Sequence, residues 1–256
     1  MRCDDDAPVQ LAFDGDRATL TLNRPRSRNA ADRGMLEGLI AAADQLDARR
    51  PRVVLLRGAG PAFCAGIDLK AMQAASAAET RHLVATMHRA LGALRALTVP
   101  LVALIQGACV GLGVELALSA DLRIAAPSAR FSYREPAVAI PSPTWRVTQV
   151  IGLARAQDLL LTARWVDADE AAALGLVTRV ADDLDAAARA VADQIAALAP
   201  LAVAETKRNL LLTLEDGAAA ATRHHLDAVV AARATEDGRE ALAAFAEKRA
   251  PCYVGR

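Results

Sequence analysis

Two apolar stretches, RVVLLR at 52–57 and LVALI at 101–105, each run into a glycine-bearing loop and then into a helical pattern. A short apolar run without polar alternation is what a strand covered on both faces requires. A strand that passes through a glycine loop into a helix belongs to an α/β unit rather than a hairpin. The first loop reads GAGPAFCAGIDLKAM over 58–72 and the second QGACVGLGVELALSADL over 106–122. Glycine lets a ligand approach main-chain N–H groups closely, and the first amides of the following helix have no partner inside it. Two such loops together can present two N–H donors to one developing oxyanion. Phosphate cradling is disfavoured, because Gly111-Leu112-Gly113 continues as Val114-Glu115-Leu116 and no GK[ST] occurs.

The remaining patterns extend this α/β frame. Residues 9–13 and 17–22 flank Asp14-Gly15-Asp16, which predicts a hairpin. Apolar residues at helical spacing predict helices over 31–49 and 77–97, and a third follows from about 113 to 119. A strand is expected at 122–125, then an irregular stretch carrying Pro136, Pro141 and Pro143. Asp167 to Glu170 reads as a capping box opening a short helix that Gly175 closes. After residue 180 the character changes: 183–198, 201–214, 217–232 and 236–248 all read as helices, punctuated by Ala199-Pro200 and Asp216-Gly217. The expected organisation is an α/β body over 1–180 and an all-helical segment over 181–256. Helices that trail off a finished core need something to pack on, and a neighbouring copy of the chain is the expected partner.

Composition excludes several function classes. With 256 residues, 54% of them hydrophobic, the chain can fill a core without disulfides or metals. Thirty basic residues balance thirty acidic ones and only 3% are aromatic, so neither the electrostatic footprint nor the stacking platform of a nucleic-acid binder is present. No apolar run approaches the roughly 18 residues of a membrane span. The start, MRCDDDAP, is acidic where a secretory signal is basic and then apolar. Cysteines at 3, 64, 109 and 252 form no CxxC, and histidines at 82, 88, 224 and 225 form no HExxH. The expectation is a cytoplasmic protein with reduced thiols and no metal site.

Two acids stand out. Glu115 sits just inside the second loop's helix among Val114, Leu116, Ala117 and Leu118, where a carboxylate needs a partner or a raised pKa. Glu135 lies in SYREPAVAIP, and local sequence alone reads it as a surface acid beside Arg134.

Five collinear blocks then carry a resemblance. LNRPRSRNA (22–30), AFCAGIDLKAM (62–72), GACVGLGVELALSADLRIAAPSARF (107–131), LLLTARWVDADEAAALGLV (159–177) and AFAEKRAP (244–251) together resemble the enoyl-CoA hydratase/isomerase, or crotonase, family. The resemblance implies a spiral of ββα turns, a C-terminal helical trimerisation segment, and a homotrimer or homohexamer acting on acyl-CoA thioesters. Coenzyme A would be part of the substrate, with no separate cofactor.

Residue by residue, the family's oxyanion-hole amides fall on Ile67 and Leu112, whose bulk is expected to narrow the acyl pocket. Its two hydratase carboxylates match Glu115, implied to hold and activate water, and Glu135, implied to protonate Cα. CoA is placed along Arg26 to Arg28 and along Ala65, Gly66, Asp68, Leu69 and Lys70. Phe245 and Lys248 are implied to reach the CoA of a neighbouring subunit, while the Asp68 side chain reads as a helix cap. The departures cluster near Glu135: Arg134 replaces a proline, and AIPSPTWR replaces a longer glycine-rich run. An amide that orients the water would fall near Ser142, and Trp145 enters the acyl end. The activity implied is hydration of a 2-trans-enoyl-CoA. Its alternatives are Δ3,Δ2-enoyl-CoA isomerisation, hydroxyacyl-CoA hydrolysis, and acyl-CoA binding without turnover.

Overall fold

A computed structural model describes residues 6–73 and 75–256; Cys3 and the acidic start through Asp5 lie outside the described residues. The hairpin forms as expected. Strands β1 (Val9–Asp14) and β2 (Arg17–Leu22) pair antiparallel with Val9 opposite Leu22. Helix α1 (Arg33–Arg49) starts after Asp32, whose carboxylate accepts from the Met35 N–H at 2.9 Å. Strand β3 (Val53–Gly58) leads through the first glycine loop to the short helix α2 (Leu69–Gln73) and the long helix α3 (Ala77–Ala96). Ser76 and Glu79 close a reciprocal capping box at the start of α3.

Next come strands β4 (Leu101–Ile105) and β5 (Ala108–Val110), helix α4 (Leu112–Leu118), and strands β6 (Leu122–Ala125) and β7 (Arg130–Ser132). A 3₁₀ turn at Glu135–Val138 follows, then α5 (Trp145–Ile151) and α6 (Leu153–Thr162). Strand β8 (Val166–Asp167), α7 (Ala168–Leu174) and strand β9 (Arg179–Val180) complete the body. At α7 the Asp167 carboxylate accepts from the Glu170 N–H at 2.9 Å, and Gly175 closes the helix at φ +89°. The box is only half made, because the Glu170 carboxylate instead takes the Arg164 guanidinium at 2.7 Å.

Six strands form one sheet in the order β1-β2-β3-β4-β6-β9, parallel except for the hairpin. A smaller sheet runs β5-β7-β8. Each turn of the chain therefore lays one strand in the large sheet and the next in the small one: β4 then β5, β6 then β7. Cys64, a free thiol whose backbone pairs in parallel with that of Cys109, fills that second place in the turn begun by β3. This is the spiral of ββα turns that the resemblance implies. Its turns begin at Val53, Leu101 and Leu122, so their spacing is unequal and no sequence period marks them.

The large sheet is covered on both faces. Leu20, Val54, Leu56 and Ala103 belong to the main core with Leu36 and Leu39 of α1 and Leu91 and Leu94 of α3. On the other face Val53, Val102, Leu104 and Ile124 meet Ala188, Val191 and Ala192 of helix α8 (Leu184–Ala196). The segment expected over 181–256 thus begins with α8. Its apolar stripe covers the sheet, so the helices standing off the body are α9 (Pro200–Glu215), α10 (Ala218–Ala234) and α11 (Glu236–Glu247). Among the described residues no single helix is long and apolar enough to cross a membrane.

Helix α9 is fastened to the body by Lys207. Its buried ammonium lies 2.8 Å from the Asp121 carboxylate and donates to the Val99 carbonyl at 2.9 Å. The same Asp121 oxygen accepts from the Leu101 N–H at 2.7 Å, joining α9 to the start of β4. Replacing Lys207 by Ala removes the ammonium from both acceptors and leaves Asp121 with the Leu101 N–H alone. We expect a loss of about 2–3 kcal/mol in urea unfolding, below the range for a fully buried pair because Asp121 is partly exposed.

Candidate active site

The site begins with two parallel backbone pairings. Residues 63–64 run beside β5, with Phe63 N–H donating to the Gln106 carbonyl at 2.7 Å, Cys64 to Ala108 at 3.0 Å, and Val110 back to Cys64 at 2.9 Å. Residues 65–68 run beside 28–31 through Ala65 to Arg28 at 2.9 Å, Ala31 to Gly66 at 2.8 Å and Asp68 to Ala31 at 2.9 Å. Gly66, at φ +102°, is the point of closest approach: a Cβ there would lie 3.0 Å from the Val110 carbonyl and 4.0 Å from the Leu112 nitrogen. Any side chain would push the two loops apart. Ile67 and Leu112 thus sit on adjoining loop ends. Among the described residues, neither of their N–H groups donates to a protein acceptor.

Asn29 holds the first loop in shape. It is fully buried at φ +58°, and its amide nitrogen donates to the carbonyls of Ala59 (2.9 Å), Ala62 (2.8 Å) and Phe63 (3.2 Å). Its amide oxygen accepts from the Arg24 N–H at 2.8 Å.

A cavity of about 350 Å³ opens beside the two free amides. Ile67 and Leu112 themselves form part of its wall, with Met72, Met87, Pro141 and Trp145. The polar groups on the wall include Glu135, Ser142 and His88. The wall position of His88 does not follow from its place in the α3 pattern.

Glu135 is not the surface partner of Arg134. Arg134 turns away to donate to the Ala163 carbonyl at 3.0 Å, and Glu135 is half-buried. Its carboxylate lies against Gly111, the residue capping α4 at φ +52°, where a methyl group would overlap it. The Ser142 hydroxyl donates to Glu135 Oε2 at 3.3 Å. Burial raises the Glu135 pKa above the usual carboxylate range, with Ser142 opposing it weakly.

Glu115 sits in α4, all seven residues of which are buried, and it does not line the cavity. The Tyr133 hydroxyl donates to Glu115 Oε1 at 2.7 Å. The buried Arg146 guanidinium donates to the Ser119 hydroxyl, which in turn donates to the Glu115 carbonyl at 2.8 Å. Burial pushes the Glu115 carboxyl up to about 6, against the pull of Tyr133 and Arg146, and the neighbouring Glu135 adds to the rise. The two acids are thus electrostatically coupled but differently supported: one has a phenol and a guanidinium, the other a weakly held serine.

The residues matched to CoA fall into three groups. Arg26, Arg28 and Lys70 are exposed, and none is in an ion pair among the described residues; Leu69 is exposed beside Lys70. Ala65 and Gly66 are engaged in the loop pairing. The Asp68 carboxylate takes the Arg24 guanidinium at 3.1 Å and caps α2 through the Lys70 N–H at 3.1 Å, as a helix cap should. Phe245 is 84% exposed on α11 and Lys248 ends that helix; neither lines the cavity.

Comparison with known proteins identifies the family. Residues 16–256 match the enoyl-CoA hydratase/isomerase family model, and the chain belongs to that family. It is 38% identical over 244 residues to a Mycobacterium leprae protein named a probable enoyl-CoA hydratase, covering 93% of this chain and 94% of that one. Among solved structures it resembles an enoyl-CoA hydratase from Bacillus anthracis, with TM-score 0.93, 33% identity, and coverage of 97% and 100% of the two chains. An enoyl-CoA hydratase/carnithine racemase from Magnetospirillum magneticum gives TM-score 0.91 and 37% identity over 97% and 96%.

Asn29, Arg24, Tyr133 and Arg146 are the site residues that sequence reasoning missed. Asn29 and Arg24 lie in a block that carried the resemblance, yet nothing local shows which carbonyls they hold. Replacing Asn29 by Ala forfeits the hydrogen bonds to the loop carbonyls and puts a less tolerant residue at positive φ. We expect about 3 kcal/mol of destabilisation in chemical unfolding, at about 1 kcal/mol per hydrogen bond lost.

The raised pKa of Glu115 also has a sign in stability. Between the unfolded value of 4.5 and about 6 the folded chain binds more protons, so this group's contribution falls as pH rises through that window. Glu115→Gln removes the penalty. Its stability relative to the parent is expected to grow by about 2 kcal/mol between pH 4 and pH 7.5, measured by denaturant unfolding at both.

Proposed function

We propose that the protein hydrates the double bond of a 2-trans-enoyl-CoA thioester. One observation carries this reading: two coupled, differently supported carboxylates converge on the amino end of α4, next to two free N–H groups from separate loops. Hydration needs these parts. Water must lose a proton as its oxygen bonds to Cβ, charge moves onto the thioester oxygen, and Cα must gain a proton. In this reading Glu115, which Tyr133 and Arg146 favour as a carboxylate, takes the proton from water. The amides of Ile67 and Leu112 hold the developing oxyanion, where loss of one donor typically costs ~10²–10³ in rate. Glu135, without a cation partner, carries the proton that goes to Cα. The apolar cavity takes the acyl chain, and Arg26, Arg28 and Lys70, in no ion pair among the described residues, supply cations for the CoA phosphates.

The helices off the body support assembly with further copies of the chain. Leu210, Leu226, Val230 and Phe245 are 64%, 62%, 72% and 84% exposed, a set of large apolar side chains that a homotrimer or homohexamer would cover.

A second reading has its own observation. Glu135 lines the cavity whereas Glu115 does not and already accepts from Tyr133. A single wall acid suffices to move one proton between C2 and C4, which is Δ3,Δ2-enoyl-CoA isomerisation.

The test is loss of enoyl-thioester ultraviolet absorbance on 2-enoyl-CoA esters of graded length, with mass spectrometry of the product. Hydration is expected to add one water, and Glu115→Gln and Glu135→Gln are each expected to lower kcat/KM by ~10²–10⁴. A 3-enoyl-CoA converted to conjugated ester, without a hydroxy product and with full activity in Glu115→Gln, would replace hydration by isomerisation. Release of free thiol would identify hydrolysis.

A further inference from the structure

We propose that Tyr133 is the positioning residue that keeps Glu115 ionised and fixes which of its oxygens is free. The role rests on the hydration reading only for the step that Glu115 performs. Tyr133 follows β7 and is 1% exposed, and its hydroxyl has one proton to give. Among the described residues Glu115 Oε1 is its hydrogen-bond partner, at 2.7 Å. A neutral Glu115 protonated on Oε2 still accepts from the phenol at Oε1, but the hydrogen bond to a carboxylate is roughly twice as strong, so the Tyr133 proton favours the ionised form.

The other charged or titratable neighbours do not supply that direction. Arg146, from α5, contributes positive charge but donates to the Ser119 hydroxyl; beyond it stand Arg95 of α3 and Glu215 of α9. Glu135, on the 3₁₀ turn, opposes ionisation of Glu115, and the Cys109 thiol of β5 lies near the phenol. Tyr133 therefore aims the group. With Oε1 engaged by the phenol, Oε2 is the Glu115 oxygen left without a hydrogen-bond donor among the described residues.

The experiment titrates Glu115 directly by carbon-13 NMR of carboxyl-labelled glutamate, in the parent and in Tyr133→Phe, alongside the pH profile of kcat. Loss of the phenol is expected to raise the Glu115 midpoint by about one pH unit or more, given a charge-assisted hydrogen bond. The acid-side midpoint of kcat is expected to rise with it, with KM little changed and activity recovering at higher pH. A second arm uses the fact that the chain has two tyrosines, Tyr133 and Tyr253. In a Tyr253→Phe background, 3-fluorotyrosine replaces Tyr133 alone, and its more acidic phenol is expected to move the midpoint the opposite way. A folded Tyr133→Phe with an unmoved Glu115 midpoint overturns the proposal, as do two arms shifting in the same direction. If Tyr133→Phe does not fold, the fluorotyrosine arm decides. A parent protein without hydratase activity whose Glu115 midpoint still responds as expected removes the hydration reading and upholds the role of Tyr133.

Discussion

Asn29 is the side chain on which the rest of the site depends. Its amide closes the first glycine loop on the carbonyls of Ala59, Ala62 and Phe63 and anchors it to the chain leaving β2 through Arg24. With the loop so closed, Phe63 and Cys64 can run beside β5, and β5 leads directly into Gly111 and α4. The position of the Leu112 amide relative to the Ile67 amide is thus set two steps back from either residue. Three carbonyls brought within reach of one amide would be costly to bury without it. The arrangement is therefore cooperative: loop, small sheet and helix α4 are in place together.

What the sequence discloses follows from how far each determinant lies along the chain. The large helices and β3 and β4 are legible because their apolar spacing is local and extends over whole elements. Strands β5, β7, β8 and β9 span two or three residues each, too few for any period, and exist through partners far away, as Ile124 with Arg179. Helices α5 and α6 follow the proline-bearing stretch, whose irregularity says nothing about what comes after it, and break at Gly152. In α8 the amphipathic stripe is plain, but amphipathicity does not say whether the cover is a neighbouring copy or the chain's own sheet. Here it is Val53, Val102 and Ile124.

The candidate site divides in the same way. Two loops with unpaired amides are readable because strand, glycine and helix fall in sequence, and Glu115 stands out as an acid inside an apolar helix, whereas Ile67 and Leu112 are singled out by the resemblance. Glu135 is not readable locally. Its neighbour Arg134 looks like a salt-bridge partner but is drawn to the Ala163 carbonyl 29 residues away, and what holds Glu135 is the bare face of Gly111. Tyr133 and Arg146 escape for a related reason: each is polar in an otherwise unremarkable segment, and its purpose is visible only once α4 lies between them.

The two carboxylates show how one fold sets unlike roles for like groups. Both are taken partly out of water, which alone would favour the neutral form of each, and Glu135 makes ionisation of Glu115 harder. The difference lies in what surrounds them. A phenol donor, a guanidinium and a place in the first turn of α4 all favour charge on Glu115, while Glu135 has a long hydrogen bond to Ser142 and the wall of an apolar cavity. Like groups in unlike surroundings are thus given different tendencies to hold a proton. Burying Glu115 this deeply weakens folding above its midpoint, and a glutamine would pack in the same space without that penalty. A carboxylate kept there despite the cost fits the base that the proposed hydration needs, and in that proposal the buried phenol favours its ionised form.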